Sequence, residues 1–510
     1  MPILNSIASW WMKKRMHQIE LFMKYPDDVQ NESLLKLVSS AKDTEWGKKY
    51  DYNNIFNQEQ FKHNVPIQDY ETLKPFIDRI RRGEQNVLWH SEIKWFAKSS
   101  GTTNDKSKFI PVSEESLNDC HYNGGRDMIS IHCSLNPETQ LFTGKNLALA
   151  GSLVTDHFGD YVSQNGDLSA IVIDNLPVWA EFFRAPDLSI ALLEKWDEKL
   201  EKIAKATMNE NMVSLAGVPS WMLLIMKRVL NETGKKSIVE VWPNLEVYFH
   251  GGVNFNPYRE QFKTIFNNSN MNYLELYNAT EGFFGIQDQR NSEELLLMLD
   301  YGIYYEFVPV NELEKEEPKT LSLDEVELDT NYALVISTNA GLWRYMVGDT
   351  IKFTSLYPFR FKITGRTKHF MNAFGEEIIV DNADKALAIA CEKTGARITE
   401  YTAAPVYMPF GSAQDDVSGA HEWLIEFDLA PTSISYFSEM LDNALKSINS
   451  DYEAKRYLNL ALKQPIVQVV PTGTFYKWFE SKNKLGGQHK VPRLSNDRKY
   501  VEEILSLARS

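Results

Sequence analysis

The chain has 510 residues, of which 43% are apolar and 24% charged, and a formal net charge of −15. That length exceeds what one hydrophobic core usually serves, so a soluble globular protein of at least two domains is expected. The negative balance argues against nucleic acid or an anionic membrane surface as a partner, yet allows a local positive pocket for phosphate.

Residues 1–25 carry Trp10, Trp11, Met16, Ile19, Phe22 and Met23 among basic residues, without an uninterrupted apolar core. They read as an amphipathic helix packed on the body, the alternative being attachment to a membrane surface. No stretch reaches the roughly twenty apolar residues of a membrane span. Three cysteines, Cys120, Cys133 and Cys391, form no CxxC pair and are too few for a disulfide framework. A reducing, cytoplasmic location is therefore expected.

Residues 31–82 follow a mostly helical pattern, with Tyr70, Leu73, Phe76, Ile77 and Ile80 at three- and four-residue spacing and Pro66 and Pro75 as punctuation. Two runs of strand character, 93–97 and 109–112, then flank Ser99-Ser100-Gly101-Thr102-Thr103-Asn104-Asp105-Lys106-Ser107-Lys108. This segment reads as a tight connection between strands. Its hydroxyls, its glycine and its lysines suit a loop that closes on phosphate; the same composition describes an exposed hairpin loop. Walker A spacing is absent.

Ser113 is placed as a helix N-cap, with Ser116 three residues on. The helix carries Cys120 and His121 and ends near His132 and Cys133. Those pairs lie roughly 15 Å or more apart along an axis, so they cannot share a tetrahedral metal ion. Arg126 on this helix can hold a carboxylate or sit in a surface salt bridge.

Short apolar runs over 146–173, a long helix over 188–208, a buried strand over 212–219 and a helix over 221–230 are the signature of a layered α/β body. A strand over 245–253 runs into Gly251-Gly252, and one over 272–277 runs into Asn278-Ala279-Thr280-Glu281-Gly282. With a helix between them, both turns fall at the carboxyl edge of one sheet, where ligands bind. Thr280 can donate to a phosphate oxygen, and Glu281 offers the hard carboxylate that Mg²⁺ prefers when it bridges a nucleotide.

From 295 to 370 the texture is all-β, interrupted by an acidic stretch, 311–330, that reads as a solvated hairpin excursion. Asp349 follows Gly348 and can accept from both hydroxyls of a ribose. The basic turn Gly365-Arg366-Thr367-Lys368 closes the segment. A compact α+β module of roughly 140 residues follows, with helices over 381–394 and 433–448 and strands over 422–429 and 465–470. Near its end, Gly486-Gly487 precedes Lys490, which either reaches another domain's site or lies on the surface. The expected fold class is α/β. A large domain over 1–365, of layered sheets and helices with a β-rich subdomain, precedes a small mobile α+β domain over 366–510.

Five elements occur in a fixed order: 99–108, 277–281, 345–349, 365–376 and 488–493. Their order resembles the adenylate-forming superfamily of acyl-CoA synthetases, luciferases and peptide-synthetase adenylation domains. More narrowly, residues 99–111, 277–286, 341–349 and 488–493 look like the GH3 family of acyl acid–amido synthetases. The resemblance implies an adenylate-forming fold and a two-step ligase. Mg·ATP and a small carboxylic acid give an acyl-adenylate and pyrophosphate; an amino acid amine then gives an amide and AMP.

The resemblance also implies roles. Ser99, Ser100, Thr102 and Thr103, with Gly101 and Lys108 in the same loop, would hold the β- and γ-phosphates, and Thr280 the α-phosphate. Asn278 and Ala279 with the Gly251-Gly252 turn would frame the adenine, Asp349 would bind ribose, and Arg366 would lie near ribose and phosphate. Glu281 would ligate Mg²⁺, and Lys490 would bridge the acyl carboxylate and α-phosphate. Arg126, Phe283 and Phe284 would line the acyl pocket, and the turn at 366–368 would be the hinge. Asn104-Asp105 departs from the glycine usual in the wider superfamily. The alternatives are an acyl-CoA ligase or a non-catalytic nucleotide-binding scaffold; a monomer is expected.

Overall fold

The computed structural model describes every residue except 1, 100–107, 194, 253–254, 256–257, 268–269, 314, 316, 368–369, 372–375, 377, 408–418, 450–451, 454–455, 457–461, 483–490, 496 and 510. The N-terminal helix, Pro2–Lys24, packs on the body through Ile19 and Phe22, as its amphipathic pattern requires. No helix among the described residues is long and apolar enough to cross a membrane. Strand β1 (Trp95–Ser99) pairs antiparallel with β2 (Lys108–Val112), Ser99 opposite Lys108. The hydroxyl-rich segment thus joins adjacent strands.

Ser113 caps the next helix reciprocally. Its Oγ accepts from Ser116 N–H at 2.9 Å, and Ser116 Oγ accepts from Ser113 N–H at 3.0 Å. The first part of this helix, Ser116–Tyr122, is π-helical, and it continues as an α-helix, Asn123–Leu135. Strand β3 (Lys145–Ala148) enters the main sheet, and the hairpin of β4 (Leu153–Phe158) and β5 (Tyr161–Gly166) completes a four-stranded sheet of order β2-β1-β5-β4.

After β6 (Arg184–Ala185), the single helix expected over 188–208 is two, Leu188–Ala191 and Trp196–Thr207. The buried Lys199 ammonium needs acceptors, and it finds them in the Ala150 and Gly151 carbonyls at 2.7 and 2.8 Å.

Strands β7 (Met212–Gly217), β8 (Val247–Gly251) and β9 (Asn272–Ala279) are parallel neighbours, so their carboxyl ends share one edge. Thr280 and Glu281 form the tight turn into antiparallel β10 (Gly282–Ile286). The chain then adds β11 (Leu295–Leu297), β12 (Ile303–Pro309), β13 (Asn331–Thr338), β14 (Tyr345–Leu356) and β15 (Phe359–Arg366). They extend the same eleven-stranded sheet, of order β12-β13-β14-β15-β11-β10-β9-β8-β7-β3-β6, because the β9–β10 turn joins its parallel and antiparallel halves.

The acidic excursion also differs from expectation. Leu323 and Val326 are buried, and Thr320 donates to Glu306 at 2.7 Å, a carboxylate that Arg344 holds at 2.8 and 2.9 Å. Its apolar side chains, sparse in the sequence, anchor it to the sheet.

Beyond the short pair β16 (Phe370–Met371) and β17 (Ile378–Ile379) lies a helix, Val380–Thr394. A three-stranded sheet of β18 (Arg397–Tyr407), β19 (Gly419–Leu429) and β20 (Ile466–Val470) and a helix, Ile434–Ile448, follow. Their cores, around Tyr401 and Trp423 and around Phe475 and Trp478, are distinct from those of the main sheet.

Candidate active site

The carboxyl edge of β8 and β9 opens into a cavity of about 740 Å³. Gly252, Asn278, Ala279, Thr280, Glu281 and Asp349 line it together, although Asp349 lies some seventy residues further along the chain. Asp349 is brought there by β14, behind Gly348 at φ +91°, a value glycine alone adopts at no steric cost. A Cβ on Gly251 would meet the Leu276 carbonyl oxygen at 2.4 Å, so glycine is what lets β8 end this close to β9.

Tyr277 Oη donates to Asp349 Oδ2 at 2.5 Å and so orients the carboxylate. Thr280 Oγ1 donates to Glu281 Oε2 at 2.6 Å. Among the described residues no three His, Cys, Asp or Glu side chains group as a metal cage. Mg²⁺ does not require one, since one or two carboxylates with phosphate oxygens and water suffice; Glu281 at the cavity wall fits that pattern.

Other expected residues are placed as follows. The backbone of Arg366 lies opposite Asp349 across β14 and β15. Ser99 ends β1, and Lys108 opens β2 with its ammonium 5.7 Å from the Tyr70 ring. Ser100, Gly101, Thr102, Thr103 and Lys490 lie outside the described residues, but Val491, Pro492 and Arg493, which follow Lys490, line the cavity. Phe283 and Phe284 do not line this cavity. Both are buried, Phe283 edge-on to Tyr301 at 5.9 Å and Phe284 edge-on to Tyr277 at 4.9 Å. Arg126 is about a quarter exposed, with Nε 3.4 Å from Asp127.

Several residues were not singled out by sequence. His250 and Glu275 are register partners on β8 and β9, and both line the cavity. Burial pushes the His250 pKa down to about 3, so its ring is neutral, and Nδ1 has no partner among the described residues. Burial pushes Glu275 up to about 7, with Glu293 adding to the effect and Arg259 and Lys362 opposing it. A carboxylate between Leu274 and Leu276 in a strand leading to a turn was a visible signal. The π-helix was not. It sets Cys120 Sγ to accept from Phe283 N–H at 3.2 Å, and His121, pushed down to about 4 by burial, hydrogen-bonds Asn278. The pair dismissed as metal ligands instead contacts both ends of the Thr280–Glu281 turn.

Models of the GH3 family N-terminal, central and C-terminal domains match residues 15–271, 296–366 and 381–499. An indole-3-acetic acid-amido synthetase GH3.3 of Arabidopsis thaliana is 24% identical, covering 94% of this chain and 91% of its own. A 4-substituted benzoates-glutamate ligase GH3.12 of the same plant is 23% identical, covering 93% and 94%. Among solved structures, a GH3.15 acyl acid amido synthetase in complex with 2,4-DB has a TM-score of 0.81 at 17% identity, covering 97% of this chain and 96% of that one. A 2-hydroxyisobutyryl-CoA ligase in the postadenylation state has a TM-score of 0.59 at 13% identity, covering 95% and 92%. The structural likenesses show a shared fold, and the three domain matches span most of the sequence: this chain belongs to the GH3 family.

Proposed function

We propose that the protein is an ATP-dependent acid–amino acid ligase, with residues 1–365 carrying the nucleotide and acyl sites and residues 366–510 forming a small mobile domain. The observation that carries this reading is the convergence of Thr280, Glu281, Asp349 and the segment after Lys490 on one cavity. Relatives named as amido synthetases and as a benzoates-glutamate ligase support the acid and amine chemistry.

In the first step an acid carboxylate oxygen attacks the α-phosphorus, the bond to the β-phosphate breaks and pyrophosphate leaves. Two anions approach each other, so the gain comes from donors and cations placed where charge builds. Thr280 and Lys490 supply these at the α-phosphate, and Lys490 also steers the acid's carboxylate. Ser99, Ser100, Gly101, Thr102, Thr103 and Lys108 hold the outer phosphates. Asp349, oriented by Tyr277, binds the ribose, Arg366 lies beside ribose and phosphate, and the Gly251–Gly252 turn with Asn278 and Ala279 frames the base. Glu281 would hold Mg²⁺, which would supply neutralisation of the phosphate charge. Arg126 binds the acid's carboxylate, with Phe283 and Phe284 shaping the wall behind it.

In the second step an amino acid amine attacks the acyl carbon, the acyl–phosphate bond breaks and AMP departs. Lys490 must withdraw to admit the amine, with the turn at 366–368 as hinge.

Pyrophosphate exchange over a panel of carboxylic acids, followed by mass spectrometry of products formed with mixed amino acids, tests the reading. Amide products support it; a thioester formed only with CoA would reject it. Lys490→Ala is expected to slow exchange by about 10²-fold or more with little change in ATP binding, because the group acts mainly in the transition state. Equal rates would remove Lys490 from the mechanism.

A further inference from the structure

Strands β1 and β5 run parallel with Ala97 opposite Gly166, so Lys98 and Asp167, each the next residue, stand at adjacent strand ends. Both line the cavity that Thr280 and Glu281 line. The two charges do not pair with each other, for among the described residues Lys98 makes no hydrogen bond or ion pair. The other lysines of the cavity are engaged, Lys362 with Glu293 at 3.1 Å and Lys385 with Asp381 at 2.8 Å. Asp167 is only 9% exposed and is fixed in place. Its Oδ2 accepts from Ser152 N–H at 2.9 Å, and a Cβ on Gly151 would lie 1.8 Å from that oxygen, so glycine is what lets the carboxylate rest on this turn. The Lys199 ammonium holds the same turn through the Ala150 and Gly151 carbonyls.

Opposite charges side by side on a cavity wall, not neutralising one another, suit a ligand that carries both signs. A phosphate would gain from Lys98 and be repelled by Asp167. A Mg²⁺ ion would gain from Asp167 and be repelled by Lys98. The acyl acid has no positive group to offer. An α-amino acid meets both demands, because its ammonium and carboxylate are attached to one carbon. Coenzyme A, the rival acceptor, brings a thiol with no carboxylate beside it.

We propose that Lys98 and Asp167 form the acceptor site, Lys98 taking the α-carboxylate of the incoming amino acid and Asp167 its amino group. This rests on the amide-forming reading of the proposed function and gives that reading its selectivity. Acceptors that lack an α-carboxylate, such as amino acid amides, lose the Lys98 contact and are used poorly. Neither residue reads the acceptor's side chain.

The test uses the full chain and the carboxylic acid that exchanges fastest in the pyrophosphate panel. The proteinogenic L-amino acids are screened as acceptors, and the best is compared with its own α-carboxamide by kcat/KM for amide formation. The parent should prefer the amino acid by about tenfold or more, the value of a charge-assisted hydrogen bond. Lys98→Met should reduce that preference to about threefold or less, and Lys98→Arg should restore it. Asp167→Asn keeps an acceptor for Ser152 N–H. It should lower kcat/KM about tenfold for both acceptors and leave their ratio unchanged, because both carry the same amino group. Pyrophosphate exchange needs no acceptor and should stay within about threefold of the parent in every variant. A loss of exchange of about tenfold would make Lys98 a phosphate ligand, or Asp167 a Mg²⁺ ligand, and overturn the proposal. So would a parent indifferent to the carboxylate, a Lys98→Met enzyme that keeps the preference, or an Asp167→Asn enzyme with parental kinetics. If Asp167→Asn does not fold, the Lys98 comparisons decide alone. Exchange without any amide product would defeat the proposed function itself, and this inference with it.

Discussion

Glu275 shows how one residue can carry a pH dependence that its neighbours do not. Its carboxyl faces the cavity, and burial raises its pKa from 4.5 to about 7. Between those values the folded chain keeps a proton that the unfolded chain releases, so raising the pH favours unfolding. The stability contribution is whole below about pH 4.5 and is lost as pH climbs through 7, at most about 3 kcal/mol given partial solvent contact. Glu275→Gln should abolish that slope. Thermal melts of parent and variant from pH 5 to 8 would show the parent losing ground as pH rises; parallel curves would mean that Glu275 titrates normally. Glu275 was legible as an oddity in an apolar strand. Its pairing with His250 was not, because the register of two parallel strands is set by packing across a helix and loop rather than by either strand alone.

The 116–135 helix marks where local pattern and tertiary demand part company. Its start was visible, since Ser113 and Ser116 form the reciprocal cap that their spacing suggests. Its π-helical first half was not, because the wider turn answers to contacts with β9 and β10 rather than to helical propensity. Two adjacent glycines test this. A Cβ on Gly124 would lie 2.3 Å from the Phe283 ring, whereas one on Gly125 would meet nothing within 4 Å. Alanine in a helix gains about 1 kcal/mol over glycine, and overpacking costs about 1–3 kcal/mol. Gly124→Ala should therefore destabilise, while Gly125→Ala should be neutral or stabilising by up to about 1 kcal/mol. Urea unfolding distinguishes the two, and equal midpoints would show that the helix can shift away from Phe283.

At the scale of the whole molecule, Arg493 ties the C-terminal segment together and to the main sheet. It pairs with Glu400 at 3.0 Å, lies 4.5 Å over the Tyr401 ring and interacts with Tyr258 of the N-terminal part. The Gln261 amide also reaches the Ile398 carbonyl at 3.3 Å. Arg493→Met would leave Glu400 and Asp384 without their common cation, a loss of about 3–5 kcal/mol for a broken buried pair. Because this core is separate from the main ones, the loss should appear as a new early transition in calorimetry. A single transition moved as a whole would mean that the two parts unfold together.

From the sequence alone came the layered α/β class, the strand-ended turns at 251–252 and 278–281, and the ordered motifs that point to the GH3 family. Turn chemistry and strand periodicity are local, and they are written in neighbouring residues. Only the tertiary structure decided that the all-β segment extends the parallel sheet, that Tyr277 orients Asp349, and that Arg15 answers Asp127 across 112 positions. Buried charges choose partners by position in space, and chain order does not encode that proximity.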